Sequence, residues 1–178
     1  VRHPTTQLMP RKVKTAFTAT DEDVAITGIH DIGFIPRVRD GVRGVEIRVG
    51  GGTSIFPRIA WELFEFIPIS EYLKVSEAVL RIFNRCHELR KNRARARIKV
   101  YIDRIGMDAF REEVIAEMTG DWTEERDIDP TELLFVPDEE GAAPSTAGDW
   151  TQPTDADLEE FQTFLADNVL PQKQEGYS

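Results

Sequence analysis

Two short segments joined by an Asp-Gly pair restrict the fold more than any other part of the chain. Ile32–Val38 and Val42–Val49 are rich in β-branched residues, and Asp40-Gly41 lies between them. An Asp-Gly pair in this position is a strong signal for a β-hairpin, because glycine accepts the positive φ of a tight turn. Apolar and charged residues alternate from Val45 to Val49, so one face of the second strand should be buried. An antiparallel sheet is therefore expected.

The residues after Pro57 follow a helical period, which predicts an α+β chain: a mixed or antiparallel sheet followed by helices. Ile59, Leu63 and Phe64 fit the apolar face of a short helix that ends at Pro68. Longer apolar faces follow at the same spacing, and glycine is suited to end such helices. The expected helices are 57–68, one from Ser70 to about Leu89, one over about 94–105 closed by Gly106, one capped by Asp108, and a short one capped by Thr154 with Leu158, Phe161, Phe164 and Leu165 facing inward.

The net charge of −10 is divided unevenly along the chain. Residues 1–99 hold 18 Lys and Arg against 11 Asp and Glu, whereas residues 100–178 hold 4 against 21. This asymmetry predicts a basic half that meets anions such as nucleic acid, phosphate or a polycarboxylate ligand. No apolar run approaches the roughly 18 residues of a transmembrane helix.

The N-terminal basic segment, Pro10–Lys14, is the first candidate site. If residues 11–18 form a strand, Lys12 and Lys14 share one face with their ammonium groups about 7 Å apart, two strand rises. Like charges this close repel each other unless an anion lies between them. The alternative is a solvated strand face or sheet edge, where lysines discourage aggregation.

The second basic segment, residues 90–99, places six cations in ten positions. As a helix it could lie along nucleic-acid phosphates. It could also bind an anionic cofactor, or form a solvated surface paired with carboxylates. No aromatic residue occurs before Tyr101 and no reading-helix motif is present, so the residues alone leave all three interpretations open.

Other candidate groups carry less information. Gly50-Gly51-Gly52 can turn sharply or approach a ligand closely, but the same triplet fits a flexible loop. His3, His30 and His87 lack the spacing of metal ligands. Cys86 is the only cysteine, which excludes an intrachain disulfide and a cysteine-built metal site within the chain.

Several motifs, in order, resemble the sirohaem-dependent sulfite and nitrite reductases. They span about residues 4–118, and their order is more specific than any one motif alone. The last residues, 171–178, resemble the start of that family's second ferredoxin-like half. The motifs are Leu8-Met-Pro-Arg-Lys-Val-Lys14, Asp31-Ile-Gly-Phe-Ile35, Arg43-Gly-Val-Glu-Ile-Arg-Val-Gly-Gly-Gly52, Glu77-Ala-Val-Leu-Arg-Ile-Phe83 and Arg90-x-x-Arg93-x-x-Ala96-Arg97-x-Lys99.

The resemblance implies a domain organisation. Residues 1–56 would end the first sirohaem-domain repeat, 57–118 would form a helical ferredoxin-like half-domain, 119–153 a linker, and 154–178 the start of the second repeat. The chain begins without Met and ends in a polar tail, so we expect a piece of a longer protein. The family's four cluster cysteines are absent, so the ligands of its 4Fe–4S cluster are expected outside this chain.

The resemblance also implies a site. Lys12 and Lys14 match the family's two distal-pocket lysines, and as catalytic residues they would bind the substrate anion. Lys14 favours sulfite, because plant-type nitrite reductases tend to carry Asn at that position. Sirohaem, an octacarboxylate, would be bound by basic side chains and by the loop after the glycines: Arg11, Lys12, Lys14, Gly50, Gly51, Gly52 and Arg58.

The function expected from this resemblance is the six-electron reduction of sulfite to sulfide, or of nitrite to ammonia, in a cytoplasmic enzyme. Its partners would be the anion, the rest of its own polypeptide, and ferredoxin or an NAD(P)H-flavin reductase as electron donor, with no membrane and no nucleic acid. Two alternatives remain: a noncatalytic nucleic-acid-binding module that uses residues 90–99, and a degenerate homologue with a structural role.

Overall fold

The computed structural model describes residues 4–20, 22–125, 130 and 157–170. The chain divides into two compact units, residues 1–131 and residues 132–178. The first unit contains the sheet and most of the helices. No helix in the described ranges is long and apolar enough to cross a membrane.

A four-stranded mixed sheet forms the centre of the first unit, which confirms the α+β class. Its strands lie in the order β1-β2-β3-β4, with β1 parallel to β2 and the other neighbours antiparallel. The strands are β1 (Thr15–Phe17), β2 (Ile32–Arg39), β3 (Val42–Val49) and β4 (Trp61–Pro68).

The β2–β3 hairpin forms as predicted from Asp40-Gly41. Pairing runs without a break from Ile32 opposite Val49 to Arg39 opposite Val42. The two turn residues have φ values of 52° and 78°, as the tightest hairpin turns require.

The prediction of a helix over 57–68 was wrong, because Trp61–Pro68 is strand β4. Pairing between β3 and β4 shifts register around Ile47. Such an irregularity places neighbouring residues on the same side of a strand, and both Leu63 and Phe64 pack against the core. Leu63 and Phe64 lie four and five positions after Ile59, which is also the spacing of a helical apolar face. Hydrogen bonding with β3 makes the segment a strand instead.

The helices follow β4 with bounds that differ from the predicted ones. The helix expected to reach Leu89 ends four residues earlier, and a new short helix begins after Cys86. Gly106 closes the third of these helices with φ of 88°, as predicted. The described helices are α1 (Pro4–Gln7), α2 (Tyr72–Arg85), α3 (His87–Arg90), α4 (Ile98–Ile105), α5 (Met107–Glu117) and α6 (Leu158–Asn168).

One hydrophobic core joins the sheet to the helices. The apolar faces predicted for α2, α4 and α5 supply much of it, and the inward-facing residues of β2 and β3 supply the sheet side. The core residues include Ile32, Phe34, Val45, Ile47, Val49, Leu63, Val75, Ala78, Val79, Ile82, Phe83, Ile98, Ile102, Phe110, Val114 and Trp122.

The second basic segment is not one helix. It comprises the end of α3, a single 3-10 turn at Arg93–Arg95, and the start of α4. Asn92 is extended, and its side chain accepts a hydrogen bond from the Ala94 amide, which begins the short turn. The prediction of a continuous helix with six cations was therefore wrong.

The second unit is described only over residues 157–170. Helix α6 follows Asp157, whereas Thr154, the predicted cap, lies outside the described residues. The helix has no buried residue, and Leu158, Phe164 and Leu165 of its predicted inward face are exposed. Most of the predicted linker, 119–153, is also outside the described residues, so the domain boundaries remain predictions.

Candidate anion-binding site

The N-terminal basic segment runs up to the edge of the sheet. The predicted strand over 11–18 is shorter, since β1 covers only Thr15–Phe17. The Lys14 carbonyl still accepts a hydrogen bond from the Ile32 amide at 3.1 Å, which continues the pairing with β2 by one residue. Lys12 and Lys14 therefore lie in the extended chain that leads into β1.

Both lysines are exposed. Among the described residues, neither ammonium group has a hydrogen bond or ion pair. Arg11 donates to the Arg93 carbonyl at 3.0 Å, which ties the segment to the short turn after α3. An ammonium group supplies three donors, so the two lysines offer positive charge and hydrogen bonds that the described chain does not use.

An open cavity of about 1000 Å³ lies beside this segment. Four of its described lining residues are cations, and none of those described is a carboxylate. Apolar side chains from the segment and from α2 complete the wall. A cavity with this lining suits an anion that also has apolar parts. Its lining includes Arg11, Lys12, Arg90, Arg93, Met9, Val13 and Leu80.

Asp31 connects three of the predicted site segments. It is 1% exposed, and its Oδ2 accepts a hydrogen bond from the Lys14 amide at 2.9 Å. Its Oδ1 accepts two hydrogen bonds from the Arg97 guanidinium, from Nε at 2.9 Å and from Nη2 at 2.8 Å. Its carbonyl accepts from the Gly50 amide at 2.9 Å. We call Asp31, Lys14, Gly50 and Arg97 the Asp31 cluster.

Lys99 adds a second buried cation next to Arg97. It is 1% exposed, and its Nζ donates to the Gly52 carbonyl at 3.3 Å. Burial lowers the pKa of Lys99 and the charge of Arg97 lowers it further, while Asp31 and Asp103 oppose the shift. Charges buried this deeply need a close counter-charge, and Asp31 supplies it to Arg97.

The glycine triplet uses its amides within the fold. The Gly50 amide donates to Asp31, the Gly51 amide to the His30 carbonyl at 2.8 Å, and the Gly52 amide to the Arg58 carbonyl at 2.9 Å. In this conformation the three amides are not free to bind an anion. Cofactor contact by these glycines stays a prediction, and it would rest on close backbone approach.

Close packing explains why glycine occupies two of these positions. A Cβ on Gly51 would collide with the carbonyl oxygens of Gly28 and His30. A Cβ on Gly52 would lie 3.1 Å from both the Arg97 Nη2 and the Lys99 Nζ. Gly51 is therefore required by its backbone neighbours, whereas a Cβ on Gly52 would require the ends of the Arg97 and Lys99 side chains to shift slightly.

Arg58, also predicted to bind the cofactor, already has partners. Its guanidinium forms an ion pair with Asp103 and lies 5.2 Å from the centre of the Trp61 ring. Its backbone pairs with Gly52 in both directions. The geometry thus brings Arg58 next to the glycines, as predicted, but with its charge partly neutralised.

The remaining cations of the second basic segment differ in whether their side chains have a partner. Arg90 donates to the carbonyl and side chain of Asn84. Lys91 pairs with Glu88, and Arg95 lies 5.6 Å from the centre of the Phe56 ring. Arg93 has no such side-chain partner among the described residues and lines the cavity.

Sequence reasoning found the free lysines but missed Asp31 and Arg97 as the residues that join the site. Both lie in motifs quoted above, yet 66 positions separate them, and no local pattern links a carboxylate to so distant an arginine. Lys99 was counted as a surface cation, whereas it is buried.

No group of three or more possible metal ligands occurs in the described ranges. Cys86, between α2 and α3, is partly exposed and its sulfur lies 3.9 Å from the Arg104 Nη2. His30 bonds the Ile26 carbonyl through Nδ1. The described residues therefore give no sign of a metal centre built from this chain.

Comparison with known proteins identifies relatives of the first unit. The family model described as nitrite and sulphite reductase 4Fe-4S domain matches residues 2–121. The sulfite reductase [NADPH] hemoprotein beta-component of Methylorubrum extorquens is 38% identical over 115 residues, covering 60% of this chain and 18% of the relative. The protein of the same name from Pseudoalteromonas translucida is 34% identical over 114 residues, covering 60% and 20%.

A solved structure has the same fold. The NirA protein of Mycobacterium tuberculosis matches with a TM-score of 0.58 and 31% identity, covering 66% of this chain and 21% of that one. The chain thus spans about a fifth of the length of the relatives it matches. Because the family model covers about two-thirds of the chain, including the sheet and the Asp31 cluster, the chain belongs to the nitrite and sulphite reductase family.

Proposed function

We propose that this chain forms part of a reductase that contains sirohaem and a 4Fe–4S cluster and reduces sulfite to sulfide, or nitrite to ammonia, by six electrons. In this proposal Lys12 and Lys14 bind the substrate anion. The observation that carries it is a pair of exposed ammonium groups without described partners, within the region that matches the family. Lys12 lines the cavity together with three arginines, whereas Lys14 is not among the described lining residues.

The names of the relatives support the reaction class. They include a sulfite reductase described as a hemoprotein, and the family model is described as a 4Fe-4S domain. The electron donor in this proposal is ferredoxin or an NAD(P)H-flavin reductase, and the location is the cytoplasm. The rest of the catalytic machinery would come from further polypeptide.

The residues present fit a polycarboxylate such as sirohaem. Among its described lining residues the cavity has Arg11, Lys12, Arg90 and Arg93 and no carboxylate, so an anionic ligand would neutralise charge that no described lining residue compensates. Apolar residues in the same wall suit the body of a tetrapyrrole. When bound, sirohaem supplies an iron that coordinates the substrate and passes electrons to it.

The cluster does not fit within this chain. Such clusters are held by cysteine thiolates, and the chain has one cysteine. The ligands of a 4Fe–4S cluster would therefore lie elsewhere, and the role proposed for this chain involves its basic side chains alone.

Lys12 and Lys14 would act on the oxygens of the substrate. Each oxygen that leaves as water takes up two protons, and an ammonium group within hydrogen-bond distance can donate one while it stabilises the developing negative charge. Lysine suits this task because its charge is compact and its donors rotate freely. Lys14, by resemblance, favours sulfite over nitrite.

The nucleic-acid alternative finds less support. The second basic segment is divided among two helices and a 3-10 turn, Lys99 is buried, and the Arg97 side chain is only 11% exposed. A helix that follows a phosphate backbone needs its cations exposed along one face, and the segment does not provide such a face.

The visible absorption spectrum of the full-length protein, purified from cells that make sirohaem, tests the proposal. We expect tetrapyrrole bands that shift when sulfite is added, with a weaker response to nitrite. A colourless, iron-free protein would contradict the proposal and favour a degenerate homologue.

A further inference from the structure

The backbone of Lys14 is held on both sides by consecutive residues of one neighbouring segment. Its amide donates to the Asp31 carboxylate, and its carbonyl accepts from the Ile32 amide. The side chain, by contrast, has no described partner. The fixed backbone therefore sets the point from which this flexible side chain extends. Lys12, two residues earlier, has no comparable hydrogen bond in the described structure.

The carboxylate that holds this backbone is itself held from the other side. Arg97 donates to Asp31 through two nitrogens, and the pair is almost fully buried, with side chains 11% and 2% exposed. Both nitrogens donate to Oδ1, which leaves Oδ2 to accept from the Lys14 amide, so three charge-assisted hydrogen bonds hold the two oxygens of the carboxylate. The carboxylate can therefore hold the Lys14 amide in one place.

Asp31 and Arg97 also contact the glycine loop, residues 50–52. Gly50 donates to the Asp31 carbonyl, and Arg97 lies near Gly52 beside the buried Lys99. Without the charge of Asp31, two buried cations would face each other with less compensation. Because uncompensated buried charge is costly, Arg97 and the loop would shift, and with them the anchor of Lys14.

We infer that Asp31 is a positioning residue that acts through Lys14: its buried ion pair with Arg97 fixes the backbone from which the Lys14 side chain extends to the substrate anion. This inference rests on the function proposed above. Asp31 itself would not touch the substrate, since its carboxylate oxygens are taken by Lys14 and Arg97.

The test compares two variants and a matched control in the full-length protein. Asp31→Asn keeps the shape of the side chain but removes its charge, and Arg97→Lys keeps a charge but loses the pair of nitrogens that donate together to Oδ1. The control is Glu46→Gln. Glu46 is another buried carboxylate of the sheet, 5% exposed and bound by Arg37 and Arg48, with no described contact to the Asp31 cluster.

Two readouts are needed. Sulfite titration of the visible bands should show a dissociation constant raised about 10- to 100-fold in Asp31→Asn, on the scale of an ångström-sized displacement, with sirohaem content retained. Arg97→Lys should give a smaller rise, and Glu46→Gln none. Hydrogen exchange without sulfite should be faster for the peptide containing Lys14 in both cluster variants, and unchanged in the control.

The outcomes separate this inference from the function on which it rests. A sulfite affinity within about twofold of the parent in both cluster variants would overturn the positioning role, as would an equal loss in Glu46→Gln. If the parent protein is colourless, the proposed function fails, and exchange at Lys14 still decides whether Asp31 fixes the segment. If Asp31→Asn does not fold, Arg97→Lys decides by the same two measurements.

Discussion

The two basic segments look alike as sequence but use their charges differently. In the N-terminal basic segment, the ammonium groups of Lys12 and Lys14 have no partner among the described residues. In the second basic segment, five of the six cations contact Asn84, Glu88, Phe56, Asp31 or the Gly52 carbonyl. The difference teaches that the number of cations says little about ligand binding. Cations left without a partner are the informative ones.

Replacing a free lysine should have the largest effect on catalysis. We expect Lys12→Ala to lower sulfite turnover of the full-length protein by about 10²- to 10⁴-fold, the usual range for a lost proton donor, while sirohaem content stays near normal. Steady-state turnover and the visible bands measure the two quantities. Arg95→Ala is the control, because the one contact described for the Arg95 side chain is with the Phe56 ring. Equal loss of turnover and cofactor would instead assign Lys12 a structural role.

Replacing a buried, paired arginine should affect stability. Arg97→Gln leaves Asp31 buried without its counter-charge, so the free energy of unfolding should fall by about 3–5 kcal/mol. Arg95→Gln, in the same segment but exposed, should change it by about 0.5 kcal/mol or less. Urea denaturation of the chain measures both. Similar losses in the two variants would remove the distinction between the segment's buried and exposed cations.

A more modest effect is expected on substrate choice. Lys14→Asn removes one charged hydrogen-bond donor, so the ratio of sulfite to nitrite turnover should fall by about tenfold, the equivalent of one such bond. Competition between the two anions in the full-length protein measures the ratio. An unchanged ratio would end the argument that Lys14 selects sulfite.

The smallest effect concerns nucleic acid. Because most cations of the second basic segment have partners, binding of RNA or DNA should be weak, with a log–log salt slope no steeper than about −2. Titration at several salt concentrations provides the slope. A steep slope that Arg93→Gln and Arg95→Gln reduce would revive the nucleic-acid alternative.

Local patterns were sufficient where structure depends on near neighbours. Asp40-Gly41 predicted the hairpin because its turn geometry is decided within four residues. The apolar spacing of α2 and α4 predicted most of their buried residues, since helix periodicity is also local, but it missed Val75 and Lys99. The free lysines could be predicted as a pair from their spacing and from the resemblance.

The structures of β4 and of the second basic segment depend on long-range contacts, which local patterns do not show. Strand β4 was missed because the shifted pairing with β3 brings Leu63 and Phe64 to the same core. The second basic segment was read as one helix because Arg and Lys have high helix propensity. Contacts with distant residues override that preference: Arg97 pairs with Asp31, and Lys99 packs near Gly52.

The strand order has a consequence for how the molecule folds. Strands β2, β3 and β4 follow each other along the chain and pair as neighbours, so they close short loops and can form early. The Asp31–Arg97 contact closes a loop of 66 residues, which costs more chain entropy. We therefore expect the meander to form first and the candidate site to be completed late, when α4 docks against the finished sheet.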